Sequence, residues 1–275
     1  MKNPVKTVVY DHTLRLEAYY FAGIAQPFPN HFHEYYVIGL VEQGQRQLSC
    51  RGQDTVLSPG DMLLLHPGDN HACTQAGDAP LYYRSIAVSI PVMEDYMERL
   101  TGTPGLPRFS QNVIAQAAAA PCFRRLHALL LTGSDSPDKA AMPLTLLAQL
   151  RAECGASAAS PPCPDEILLA CRWMEQHYAQ HVSLRQLCRH TGLSQSSLLR
   201  AFTRAKGVTP YRYLENIRIS RARALLEQGA APMEAALLTG FSDQSHFTNC
   251  FSRLIGLPPG AYREIYTEKQ KDGAT

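Results

Sequence analysis

The sequence has no apolar run long enough to cross a bilayer and no charged-then-apolar leader. Its eight cysteines form no CxxC pair and follow no regular spacing. That pattern argues against a disulfide scaffold and for a reducing cytoplasm. An excess of one charge is also missing, with 26 Lys and Arg against 24 Asp and Glu. No constellation reads as a general acid/base pair, so an enzyme is not expected. The charges are nonetheless unevenly placed. Residues 165–275 hold 14 Lys/Arg against 10 Asp/Glu, and residues 1–164 hold 12 against 14. A basic end opposite a slightly acidic one suits DNA binding by the C-terminal part. At 275 residues the chain is long enough for two domains.

What is present, above all, is a pattern that occurs twice between Ser183 and Tyr262. The first copy has Thr191, Gly192, Leu193 and Ser194, then Leu198, Phe202, Arg204, Gly207, Pro210 and Tyr213. The second has Thr239, Gly240, Phe241 and Ser242, then Phe247, Phe251, Arg253, Gly256, Pro259 and Tyr262. The offset is 48 residues up to the Ser and 49 beyond it, which places a one-residue insertion just after the Ser. Turns tolerate such changes. Ser183 with Gln186 reads as a capping box, Leu184 and Leu187 as a buried face, Gly192 as a left-handed stop, and Ser194 as the next cap. The second unit is expected to repeat this, with Pro232 in a first turn, Leu237 and Leu238 buried, and Ser242 as cap. Two helices joined by a tight Gly-containing turn are the helix–turn–helix signature. Asp165 is expected to cap a helix to about residue 180, with Ile167, Leu168, Cys171, Met174 and Tyr178 inward. Pro210 opens a long helix to about residue 228, roughly 28 Å at 1.5 Å per residue. That length can set two recognition helices about one DNA turn apart, roughly 34 Å.

The N-terminal part reads as strands. Residues 7–10 and 14–21, the run from His31 to Val41, and residues 46–50, 54–57, 62–65 and 81–90 are short apolar or alternating segments separated by turns. They predict a small barrel or jelly roll. His66 to His71 reads as a tight loop. Helices are expected over 91–100, from Pro121 with Leu126, Leu129 and Leu130, and over 139–154 with Leu144, Leu147 and Leu150. These stripes either pack on the barrel or join two copies in a homodimer. Residues 156–164 are a linker by composition, dividing residues 1–155 from 165–266, with a tail over 267–275.

At these residues the sequence resembles a known family. The stretch from Pro164 to about Tyr266 resembles the DNA-binding domain of AraC/XylS-type transcription regulators. The most specific carriers are the segment from Gly240 to Arg253 and the segment Gly256, Leu257, Pro258, Pro259, Gly260, Ala261, Tyr262, Arg263. His31-x-His33 and Gly60-x5-His66-Pro67-Gly68-x2-His71 resemble the cupin-like sensory domain that commonly precedes it. The resemblance implies a cupin-like jelly roll followed by an all-α domain with two helix–turn–helix units. It further implies a cytoplasmic regulator of promoter or operator DNA, controlled by a small-molecule effector. The family mostly activates, by contact with RNA polymerase, and its flanking helices often serve dimerisation. No membrane partner is implied.

Site residues follow by position. In the first recognition helix Gln195, Ser196, Leu199 and Arg200 project away from the Leu198/Phe202 stripe. In the second, Gln244, Ser245, His246, Thr248 and Asn249 flank Phe247 and Phe251. The family often carries Arg where Asn249 stands. Gln and Asn can bond adenine and Arg guanine, whereas Arg204 and Arg253 are placed to meet phosphate or an acidic partner. His31, His33 and His71 match the metal-ligand positions of metal-binding cupins. Glu34 follows too closely and Glu42 too far to be the usual cupin Glu, so no cofactor is expected. The preferred reading is an effector pocket lined by His31, His33, Tyr35, His71 and Arg84. Metal ligation by His31, His33, His71 and Cys73, best suited to zinc, is the alternative. It would make the protein a metal sensor or a cupin enzyme fused to a DNA-binding domain. A third reading leaves the histidines as strand-surface residues near the barrel mouth.

Overall fold

The computed structural model describes residues 4–155 and 163–271, so most of the expected linker and the end of the tail lie outside the described residues. The chain forms two compact units, one built on β-sheets and the other of the C-terminal helices, with which residues 28–32 are grouped. Strands β1 (Val5–Asp11), β2 (Leu16–Ile24), β3 (Phe28–His31), β4 (Tyr36–Gln43), β5 (Arg46–Cys50), β6 (Gln53–Leu57), β7 (Met62–Leu65), β8 (His71–Gln75), β9 (Leu81–Val88) and β10 (Val113–Ile114) follow in order. They pair as a six-stranded sheet, β1-β2-β9-β4-β7-β10, and a four-stranded sheet, β3-β8-β5-β6. Two antiparallel sheets are the double-layer arrangement of a jelly roll.

Why the strands look as they do follows from what covers them. Helices α1 (Ile90–Thr101), α2 (Ala120–Leu131) and α3 (Met142–Cys154) lie against the six-stranded sheet. Leu126, Leu130, Leu146, Leu147 and Leu150 share one core with Leu16, Ile38, Leu64 and Ile86. Of the leucine stripes, Leu126, Leu130, Leu147 and Leu150 are buried within the chain, and Leu129 and Leu144 are half-buried against the same core. Because the sheet is covered, β7 reads Met-Leu-Leu-Leu with every residue buried, rather than alternating. Arg84, Ile86 and Val88 turn to the helices, while Tyr83 approaches Gly39 on the other face.

Two expectations about strands change. The run from His31 to Val41 is not one strand: β3 ends at His31, β4 begins at Tyr36, and His33 lies in the break between them. Strand β8 begins at His71, in chain expected to be loop; register with β5 recruits it, Cys50 facing His71 and Leu48 facing Cys73.

The second unit comprises α4 (Asp165–His177), α5 (Leu184–Thr191), α6 (Gln195–Lys206), α7 (Pro210–Glu227), α8 (Pro232–Leu238), α9 (Gln244–Ile255) and α10 (Pro259–Lys271). It has two cores. One gathers Ile167, Met174, Leu187, Leu198, Phe202, Tyr213, Leu214 and Ile217. The other gathers Ile219, Ala222, Leu226, Ala235, Ala236, Phe247, Phe251 and Tyr262. Helix α7 supplies one end to each. The duplication extends to detail, since the Tyr213 hydroxyl donates to Glu175 at 2.9 Å and the Tyr262 hydroxyl to Glu227 at 2.8 Å.

Three expectations here are corrected. Leu237 and Leu238 are 65% and 52% exposed, and Ala235 and Ala236 are buried in their place. The helix is only seven residues long, and its start at Pro232 fixes the phase that turns the leucines outward. Ser242 is not the cap of α9: the Asp243 carboxylate accepts from the His246 amide at 2.7 Å. Ser194 and Asp243 are 49 residues apart, so the extra residue sits before the cap. Asp165 is the first helical residue of α4, after Pro164, and makes no cap bond. There its negative charge still favours the positive end of the helix.

Candidate nucleic-acid interface and ligand site

The two recognition helices are built by local chemistry. Ser183 and Gln186 make a reciprocal capping box, Gly192 ends α5 at φ 71°, and the Ser194 hydroxyl accepts from the Ser197 amide to start α6. In the second unit Gly240 takes φ 81°, and a Cβ there would stand 2.8 Å from the Ala179 carbonyl oxygen. Only glycine fits such a place.

With Leu198, Phe202, Phe247 and Phe251 fully buried, the opposite helix faces are left to solvent. Gln195, Ser196, Leu199, Arg200 and Arg204 are exposed on α6, and Gln244, Ser245, His246, Asn249 and Arg253 on α9; Thr248 is half-buried. The expected residues thus form two outward faces of amides, hydroxyls and guanidinium, the groups that read base edges. Between them runs α7, 18 residues and so roughly 27 Å long.

Arg253 has the acidic partner that its position allowed for. Its guanidinium lies 3.3 Å from Glu215. Glu215, on α7, is buried and also accepts from Arg212 at 2.5 Å and from the Cys250 thiol at 3.0 Å, with His246 Nε2 at 3.8 Å. Burial pushes this carboxyl up, but the Cys250 and Arg212 bonds and the charges of Arg212 and Arg253 outweigh it and hold it below the ordinary carboxylate range. Cys250, buried beside that carboxylate, is pushed up to about 12 and stays a thiol. The motif spacing gave no sign of this cluster, because one Glu inside a mixed helical stripe looks like any solvated charge.

In the N-terminal unit Asp69 organises the turn before β8. It accepts from the His66 amide at 2.9 Å, from His66 Nδ1 at 3.0 Å and from Asn112 at 3.0 Å, and it pairs with Arg51 at 2.6 Å. Burial pushes Asp69 up, but the bonds from His66 and the charge of Arg51 bring it down to about 2. His66 also accepts the Phe109 amide through Nε2 at 2.9 Å, so this motif histidine fastens loops together.

His71, 5% exposed, donates from Nδ1 to the Asp69 carbonyl at 3.0 Å; His31, 4% exposed, donates from Nδ1 to the Pro29 carbonyl at 2.6 Å. A carbonyl can only accept, so both rings carry their proton on Nδ1 and present Nε2 as an acceptor. Burial lowers the His71 pKa below its ordinary value, which keeps the ring neutral. His33 stands 5.2 Å from His71, ring to ring, and stacks on Tyr35 at 4.7 Å. His31, His33 and His71 each offer a ligand atom within 4.8 Å of the others.

So the structure gathers His31, His33, His71 and Tyr35. Arg84 does not join them: its guanidinium donates to Glu42 at 2.8 Å and to His127 Nδ1 at 3.2 Å, on the helix-covered face. Strand β9 alternates, and Arg84 shares parity with Ile86 rather than Tyr83. Cys73 follows His71 on β8, outside the three-histidine group, and burial pushes its thiol up to about 11. The donor set suits zinc in kind, and hydrogen-bonded outer nitrogens are what a metal-ligating histidine needs. Imidazole nitrogens also suit the polar groups of an organic ligand.

A residue that the sequence did not mark is Arg46. It is 1% exposed on β5, on the same strand face as Leu48 and Cys50, and donates to the carbonyls of Ile24, Ala25 and Gln26. Its Nε has no hydrogen-bond partner.

Comparison with known proteins agrees with both halves. A model of the AraC-like ligand binding domain matches residues 16–152, and a model of a helix-turn-helix domain matches residues 187–265. The uncharacterized HTH-type transcriptional regulator YbfI of Bacillus subtilis is 43% identical over 90% of each chain. The arabinose operon regulatory protein of Escherichia coli is 26% identical over 87% of this chain and 84% of its own. The HTH-type transcriptional activator RhaS of Pectobacterium carotovorum is 27% identical over 86% and 88%. Among solved structures, unsaturated fatty acid bound wild-type ToxT from Vibrio cholerae aligns with a TM-score of 0.55 at 12% identity, covering 98% of this chain and 99% of that one. That likeness concerns the fold. No described helix is long and apolar enough to cross a membrane. The chain belongs to the AraC family of transcriptional regulators, with an AraC-like ligand-binding domain followed by helix–turn–helix DNA-binding units.

Proposed function

We propose that this regulator reads a two-part DNA site with α6 and α9, acts chiefly as a cytoplasmic activator through contact with RNA polymerase, and is switched by a small-molecule effector. One observation carries the reading: two capped helices expose polar faces while their apolar faces are fully buried, and one rigid helix joins them. The activator named among the relatives supports the sign of regulation. His31, His33, Tyr35 and His71 line the effector site in this reading. Effector binding shifts the populations of two arrangements of the regulator that differ in DNA affinity. The chain works as a regulator, not an enzyme, and carries no obligatory cofactor.

The test uses the full chain and duplexes enriched by it from a random pool. Binding should weaken steeply with salt, because Lys and Arg displace counterions from phosphates. Arg200→Ala and Gln244→Ala sit on exposed faces, so each should lose discrimination worth about 1–3 kcal/mol while unfolding like wild type. Failure of the wild type to enrich any sequence at low salt would remove the reading. Wild-type preference in both variants would remove only the residue assignment.

A further inference from the structure

We propose that Glu215 is a positioning residue that fixes the second recognition helix, α9, on the spacer helix, and thereby sets which bases are accepted in the second half of the DNA site. The proposal rests on the reading of α9 as a base-reading helix.

The Glu215 carboxylate touches two helices. Three of its four neighbours come from α9: His246 in the first turn, Cys250 one turn on, and Arg253 near the end. They run along one face of that helix, and the fourth, Arg212, comes from α7 itself. The carboxylate is buried, and a buried charge is stabilised only when its partners are held in place. The cluster therefore resists both rotation of α9 about its axis and sliding along α7. Two of the three α9 residues, His246 and Arg253, also reach the exposed face, at 43% and 38% side-chain exposure. Pose and reading face are thus linked through the same side chains.

Among the described residues, α6 has no such device. At the positions 49 residues earlier, α6 carries Ser197, Ala201 and Arg204. Ala201 has no polar atom, and Ser197 is occupied with Ser194 at the cap. Helix α6 is seated by the Leu198 and Phe202 stripe. An apolar seat tolerates small displacements; a buried carboxylate with directed bonds does not. The two reading helices therefore differ in rigidity, and the second is the stricter reader. Glu215, His246 and Cys250 also have metal-ligand atoms within 4.8 Å of one another, but Arg212 and Arg253 already place two positive charges on that carboxylate, which opposes a third.

Selection from a random duplex pool tests this with the full chain. Wild type, Arg200→Ala, Glu215→Gln, Arg253→Gln and the double variant are each carried through it, and urea unfolding checks their folding. Arg200→Ala marks the half-site read by α6. Glu215→Gln should retain that half-site and relax the other, on the order of ten-fold or more in discrimination. Arg253→Gln should relax the same half, and the double variant should be no worse than either single change, because the two residues act as one unit. The slope of affinity against salt should stay as in wild type for Glu215→Gln. Uniform weakening by Arg253→Gln with a shallower salt slope would show a plain phosphate contact and overturn the proposal. Unchanged preference in Glu215→Gln, or loss in both halves by a folded Glu215→Gln, would overturn it as well. If Glu215→Gln does not fold, Arg253→Gln decides alone by half-site loss against uniform loss. A wild type that selects no sequence would count against the DNA-reading assignment, and that result is separate from all of these.

Discussion

At the scale of single residues, the most consequential side chains are those whose setting the sequence did not show. His127 is an example: it reads as one more polar position on α2, yet it is 0% exposed. Its Nε2 donates to the Tyr19 carbonyl at 2.9 Å, and its Nδ1 accepts from Arg84 at 3.2 Å. Both nitrogens are used by the neutral ring, and burial, with Arg84 nearby, pushes the pKa down to about 4. The unfolded chain then binds the extra proton and the folded one does not, so stability falls as pH drops from about 6.5 toward 4. The loss from this group reaches at most ~3 kcal/mol. Urea unfolding across that range should show it, and His127→Gln, which keeps a donor and an acceptor, should flatten the curve. Parallel curves would exclude the assignment. The three gathered histidines allow a second measurement. In the effector reading, purified protein holds well under one equivalent of zinc or iron, and a chelator leaves DNA binding unchanged. Near-stoichiometric zinc that disappears in His71→Ala would make the N-terminal domain a metal sensor. The histidine positions were legible as a motif. Their arrangement was not, because His33 reaches the cluster from an irregular break between β3 and β4, and the side of the sheet on which Arg84 falls depends on which face the helices cover.

At the scale of elements, capping and glycine chemistry were the most readable features, since each is decided within four residues. The Ser183 box, the stop at Gly192 and the Ser194 cap all stand where local rules put them. The second unit departs because two alignments compete: Ser242 matches Ser194 by identity, and Asp243 matches it by frame. Geometry favours Asp243, whose carboxylate reaches the His246 amide. Asp243→Ala should cost about 1 kcal/mol of stability, and Ser242→Ala next to nothing. Equal costs in thermal or urea unfolding would reject this cap. Leu237 and Leu238 illustrate the opposite case. Their hydrophobicity suggested burial, but a helix of seven residues has only one inner stripe, and Ala235 and Ala236 fill it. Small residues there let α8 come close to its neighbours, a packing choice that hydrophobicity alone does not reveal.

For the whole molecule, the order of parts was legible because each has its own period: strands and turns first, then amphipathic helices, then a duplicated motif. What remained closed was how each sheet face is covered, since that depends on contacts distant in sequence. Every fully buried residue of the two helical cores lies between Ile167 and Tyr262, so a fragment from residue 163 should fold alone and bind duplex DNA, with affinity that falls steeply as salt rises. A gel-shift series checks it, and no binding at low salt would count against autonomy of that unit. Helix α7 is the inner wall of both cores, so its length is a gauge. One inserted residue would turn α9 by roughly 100° and advance it roughly 1.5 Å. One added base pair turns DNA by only about 35°. Protein and operator therefore cannot drift in step by single insertions. The one-residue difference between the two units falls outside α7, in the turn ahead of Asp243.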